Sequence, residues 1–153
     1  MEHEEYMRQA LELARLAMAE GEVPVGCVIV RDGAVVGRGR NRRETAQTAL
    51  GHAELEAIAQ ACRTLGGWRL AGCALYVTLE PCPMCAGGII SARIPEIYYG
   101  AKDAGFGACG SILNLFEEDF RHHPKIVGHI LEAECAALLR DFFAQVREKE
   151  MQT

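Results

Sequence analysis

A histidine and a glutamate two positions apart, then two cysteines three apart some 30 residues on, could together hold a metal ion and move a proton. The residues are His52-Ala53-Glu54 and Pro81-Cys82-Pro83-Met84-Cys85. An imidazole nitrogen and two thiolate sulfurs are three good ligands for Zn2+, and a zinc with three protein ligands keeps a position for water. Glu54 sits two residues beyond His52, a spacing that does not put both side chains on one face of a helix. It therefore suits a proton shuttle beside the ion better than a fourth ligand.

Two helix starts must present this set. Cys82 and Cys85 fall three apart at the opening of a helix, so their sulfurs share a face. The positive end of that helix favours thiolate. His52 opens another helix, where the same dipole disfavours imidazolium and keeps the ring neutral for ligation. Around them the apolar periodicity predicts a helix over 4–19, with Tyr6, Ala10, Leu13 and Ala17 on one face and Gly21 as the stop. Strands are predicted over 26–31 and 34–40, joined by the hairpin signal Asp32-Gly33. A helix over 52–64, a strand over 74–79, a helix from 83 to about 91 and a strand over 96–100 follow. A short helix near 112–119, a weak strand over 125–130 and a long helix over 132–150 complete the chain. Alternating strands and helices imply an α/β layer fold. The hairpin makes the first strand pair antiparallel, and the long connection makes the fourth and fifth strands parallel. The expectation is a mixed five-stranded sheet with helices on both faces.

The other cysteines are poor ligands for the same ion. Cys62 lies about 15 Å along the helix from His52, Cys73 is a whole strand away from Cys82, and Cys135 reads as core. Cys109, in a glycine-rich stretch, stays open as a fourth ligand. Gly105-Phe106-Gly107-Ala108-Cys109-Gly110 spells the dinucleotide fingerprint but begins well past its strand, so it reads as a flexible loop near the site. Asn41 reads as a turn cap. Phe143 shares a helix face with Arg140 and Arg147, which fits either base stacking with phosphate contacts or an ordinary helix edge.

The totals bound the function. With 153 residues, half of them hydrophobic, the chain reads as one domain, residues 1–153, large enough for its own core. No stretch is apolar enough for a membrane span, and the acidic start Met1-Glu2-His3-Glu4-Glu5 is not a signal peptide. Seven cysteines without framework spacing favour a reducing cytoplasm and a metal site. The net charge of −5 weighs against nucleic acid, although Arg38, Arg40, Arg42 and Arg43 crowd one segment and Arg121-His122-His123-Pro124-Lys125 another. Judged alone, both read as solvated surface.

The pairing of H-x-E with P-C-x-x-C is the signature of zinc nucleobase deaminases. The chain resembles the bacterial tRNA-specific adenosine deaminase family over nearly its full length. The resemblance is carried by Glu22-Val23-Pro24-Val25-Gly26, Asn41-Arg42, His52-Ala53-Glu54 and the run from Tyr76 to Gly87. Gly100-Ala101-Lys102-Asp103 and Glu134-Cys135-Ala136-Ala137-Leu138-Leu139 extend it. The family pattern is broken at Leu50-Gly51, in the loop from Asp103 to Gly107, and over 121–125. The resemblance implies a three-layer cytidine-deaminase-like fold, one zinc per subunit, a homodimer, and conversion of the wobble adenosine of an arginine tRNA to inosine. It implies that His52, Cys82 and Cys85 hold the metal and Glu54 moves the protons. It further implies that Asn41 and the backbone of Ala53 bond the base and that Val23 and Pro24 line the pocket. Asp103 would contact the nucleotide backbone, and Phe142 and Phe143 would lie near the tRNA anticodon stem-loop. The alternatives are a free-base deaminase such as a guanine deaminase, a Cys-x-x-Cys redox protein, and a zinc-stapled RNA-binding module without turnover.

Overall fold

The computed structural model describes residues 2–152. The elements run α1 (Glu2–Ala19), β1 (Gly26–Arg31), β2 (Ala34–Arg40), α2 (Ala53–Leu65), β3 (Cys73–Leu79), α3 (Pro83–Ala92), β4 (Glu96–Ala101), a 3-10 turn (Leu115–Glu117), β5 (Lys125–Val127) and α4 (Glu132–Met151). The five strands form one sheet in the order β2-β1-β3-β4-β5. The β1–β2 hairpin is antiparallel, turning at Asp32-Gly33 with both residues at positive φ. β1 also pairs antiparallel with β3, whereas β3–β4 and β4–β5 are parallel. The mixed sheet is therefore as expected. The fifth strand is shorter than predicted, because after Val127 the chain turns at Gly128, packed on the Tyr99 ring. The predicted short helix shrinks to one 3-10 turn capped by the Asn114 side chain.

Alternation along the strands sends successive side chains to opposite faces. Cys27, Ile29, Leu75, Val77 and Ile97 pack with Ala53, Ala57, Ala61, Ala86 and Ile89 of α2 and α3. Val28, Val30, Tyr76 and Tyr98 pack on the other face with Met7 and Leu11 of α1 and Cys135 of α4. Helices thus cover both faces, giving three layers.

One contact sets where the site forms. Gly37 and Gly39 sit on the same face of β2, and α2 presents alanines at 53, 57 and 61 to them. A Cβ on Gly39 would run into the Ala53 carbonyl, and one on Gly37 into that of Ala57. The absence of side chains lets helix backbone lie on strand backbone, and so fixes the start of α2 at the sheet edge.

Candidate active site

His52 is the N-cap of α2 and Cys82 the N-cap of α3, and neither side chain caps its own helix. Helices usually begin on Ser, Thr, Asp or Asn, whose oxygen bonds the first-turn amides. Here both cap side chains turn toward each other instead. His52 Nδ1 lies 3.6 Å from Cys82 Sγ and 3.4 Å from Cys85 Sγ. The three ligand atoms all fall within 4.8 Å of one another. A tetrahedral zinc with nitrogen at about 2.05 Å and sulfur at about 2.3 Å sets N···S edges of about 3.6 Å. The observed spacing fits that ion. Among the described residues Cys109 is not in the group, which closes the fourth-ligand alternative. Its thiol is buried and pushed up to about 12, first by burial and then by Glu80.

The charges within the cluster support one another. Cys82 falls to about 4, chiefly because the Cys85 thiol donates to it, with His52 adding a further bond. Cys85, which keeps its proton to donate to that thiolate, is pushed far above the ordinary thiol range. A helix start favours a neutral His52, yet the hydrogen bond with Cys82 raises the imidazole pKa. Glu54, on the first turn of α2, is 4% exposed. Burial pushes its carboxyl up to about 7, only partly offset by its own backbone N–H. Near that value a carboxyl group can both take and give a proton at neutral pH.

The cluster lies at the floor of a cavity of about 700 Å³. Val23, Asn41, Ala53, Glu54, Asp103 and Phe143 line it. One expected lining residue lies elsewhere. Pro24 is buried at the apex of a tight turn, Val25 N–H to Val23 O at 2.9 Å, so Val23 and Val25 face the cavity in its place. Phe142 braces Phe143 edge-on at 5.3 Å and does not reach the lining. Asn41 does cap its turn, accepting from the Arg43 amide at 3.1 Å and donating to Val23 O at 3.2 Å. One amide hydrogen stays available beside the cavity. Asp103 Oδ1 accepts from the amides of Gly105 and Phe106, which shapes its own loop. Of the arginine cluster, Arg40 pairs with Glu20 and Arg42 with Glu56, while Arg43 reaches the cavity.

Two further glutamates carried no role in the sequence reasoning. Glu80 is 2% exposed. It accepts from the amides of Asp103 at 3.2 Å, Cys109 at 2.9 Å and Ser111 at 3.1 Å, and from the Ser111 hydroxyl. Burial opposes its charge most strongly, yet these donors together hold its pKa below the ordinary value. The glycine-rich loop is thus an anion cradle, like those that hold phosphate, but its anion is the chain's own carboxylate. Gly107 is needed there because a Cβ would collide with that carboxylate. The loop is fastened, contrary to the flexible one expected. Glu22 is 1% exposed and accepts from the amides of Glu44 at 3.1 Å and Thr45 at 2.6 Å and from the Thr45 hydroxyl. Burial again opposes its charge, and the Thr45 and Glu44 bonds again win. The local signal for both was only an acidic residue inside an apolar stretch.

A three-layer fold with a His-Cys-Cys group positioned to hold a metal at two helix starts points to a deaminase, and the comparisons agree. The model of the MafB19-like deaminases matches residues 1–147. The tRNA-specific adenosine deaminase of Bacillus subtilis is 44% identical, over 95% of this chain and 91% of its own. A solved structure from work on A-to-I editing by tRNA:A34 deaminases superposes with a TM-score of 0.85, at 44% identity, covering 88% of this chain and 99% of that one. A Bacillus subtilis guanine deaminase structure matches with a TM-score of 0.65 at 40% identity, over 70% and 72% of the two chains. The chain belongs to the tRNA-specific adenosine deaminase family. None of its described helices is long and apolar enough to cross a membrane.

Proposed function

We propose that this protein hydrolyses the wobble adenosine of a tRNA, an arginine tRNA by the family resemblance, to inosine and ammonia. The observation that carries this reading is the buried Glu54 beside the His52-Cys82-Cys85 group on the floor of a cavity wide enough for a nucleoside. His52, Cys82 and Cys85 would hold one Zn2+. When bound, zinc supplies a strongly acidified water. Glu54 takes a proton from the attacking water and delivers it to N1 of the base. It then takes the proton of the new C6 hydroxyl and gives it to the C6 amine; the C6–N bond breaks as C6=O forms, so that water and adenosine become inosine and ammonia. Val23 and Ala53 shape the seat of the base. Asn41 offers its remaining amide hydrogen, and the Ala53 backbone adds a second bond. Asp103 faces the ribose-phosphate side, and Phe143, braced by Phe142, offers a ring for stacking. Pro24 supports Val23 from behind.

The base must leave its stack to reach the floor, which costs little in a single-stranded anticodon loop. The partner is therefore an anticodon stem-loop, with Arg43 and Lys102 at the cavity as local cations on an acidic chain. The exposed Ile112, Leu113 and Phe120 support assembly as a homodimer, which sedimentation would read. A single deaminase domain acting in the cytoplasm completes the reading.

The test is mass analysis of tRNA nucleosides after incubation with the purified, zinc-loaded protein. Inosine at the wobble position is expected. Ammonia from guanine with none from tRNA would overturn the reading in favour of a free-base enzyme.

A further inference from the structure

Two loops contribute walls to the cavity. Residues 41–51 contribute Asn41, Arg43 and Ala49, and residues 102–111 contribute Lys102, Asp103 and Phe106. Each loop is gathered on one buried carboxylate, and each carboxylate directly precedes a stretch that builds the cavity. Glu22 precedes Val23, whose carbonyl takes the Asn41 amide. Glu80 precedes Pro81-Cys82, and the Pro81 carbonyl takes the Ala108 N–H at 2.8 Å. The link from floor to wall on each side is therefore a few bonds long, with a buried carboxylate at its root.

We propose that Glu22 and Glu80 are positioning residues, each setting one wall of the cavity for the substrate nucleotide by fixing a loop it does not belong to. The inference rests on the proposed function for the identity of that nucleotide. The chemistry requires an ionised carboxylate in both places. Glu80 Oε1 accepts from the Asp103 amide and the Ser111 hydroxyl, and Oε2 from the amides of Cys109 and Ser111. Glutamine has one acceptor oxygen. Placing it toward Cys109 and Ser111 leaves its NH2 against the Asp103 N–H, so that side of the loop must let go. At Glu22 the same choice keeps the two Thr45 bonds and sets the NH2 against the Glu44 amide. Each Gln variant therefore frees one wall at a defined point.

The experiment uses full-length zinc-loaded protein carrying Glu80→Gln or Glu22→Gln, with an anticodon stem-loop as substrate. KM should rise roughly tenfold for each, with kcat changed by less than about threefold, because a wall displaced by a fraction of an ångström misplaces the nucleotide. Bound zinc should stay at the wild-type level. Amide hydrogen exchange should quicken at Asp103 in the first variant only, and at Glu44 in the second only. Gly107→Ala pushes the same loop off Glu80 while keeping the carboxylate, and should reproduce the KM effect should Glu80→Gln fail to fold. Unchanged KM with faster loop exchange would overturn the inference, leaving two structural fasteners. Loss of zinc in step with activity would overturn it as well. The exchange arm needs no substrate. Wild-type protein that forms no inosine would refute the proposed function, while loop amides unmoved by the substitutions would refute this one.

Discussion

Floor and walls of the cavity use the same side chain under the same burial to opposite ends. Glu54 on the floor is 4% exposed, and Glu22 and Glu80 in the walls are 1% and 2% exposed. Glu54 meets few donors, so burial governs and its carboxyl rises to about 7. Glu22 and Glu80 each collect several amide and hydroxyl donors, so the charge survives burial and their pKa values fall. Burial alone thus does not assign a role; the number of donors aimed at the carboxylate does. The poorly satisfied glutamate is the one that can exchange protons, and the well satisfied ones can only hold structure.

The sharpest way to break this contrast is to remove the floor carboxylate. Glu54→Ala should lower kcat for inosine formation by about 10³-fold or more, with zinc content unchanged; loss of zinc would make Glu54 a ligand. Next comes Cys82→Ser, which should lower both zinc content and activity, with full activity at no metal refuting the site. In the metal-free protein the contrast becomes thermodynamic. The Glu54 pKa is raised on folding, so the folded chain favours the acid, and stability is lost as pH rises from the unfolded value through about 7. Glu54→Gln should therefore stabilise the metal-free chain at pH 8 by about 1–3 kcal/mol, read by thermal melting. Gly39→Ala should cost a similar amount, about 1–3 kcal/mol, because its Cβ meets the Ala53 carbonyl. It should also weaken zinc binding by shifting His52. The smallest effect belongs to the walls. The Glu22 pKa is lowered on folding, so its contribution is present above the unfolded carboxylate value and is lost as pH falls through the folded one. Wild-type Tm should fall more steeply than that of Glu22→Gln between about pH 5 and pH 3. Parallel curves would remove Glu22 from the argument.

Much of the site was legible before the fold was known. His52, Glu54, Cys82 and Cys85 announce themselves by type and spacing, and the helix starts that carry them follow from local periodicity. The hairpin at Asp32-Gly33 was equally plain, since two residues suffice to signal it. Phe143 was readable only as one of two options, because its contact with the cavity joins α4 to residues far back in the chain. Pro24 was not separable from its neighbours: the resemblance named a short stretch, and which member faces inward is a matter of backbone direction.

Residue types and short spacings determined by themselves most of the elements, the three candidate ligands and the candidate proton carrier, since each depends on neighbours within a few turns of chain. Only the folded chain decided that β1 lies between β2 and β3, that Gly37 and Gly39 seat α2, and that the glycine-rich loop encloses Glu80. Those outcomes depend on which distant backbone amides reach a buried carboxylate and on where two backbones touch. Such contacts are made across dozens of residues and leave no periodic mark in the sequence.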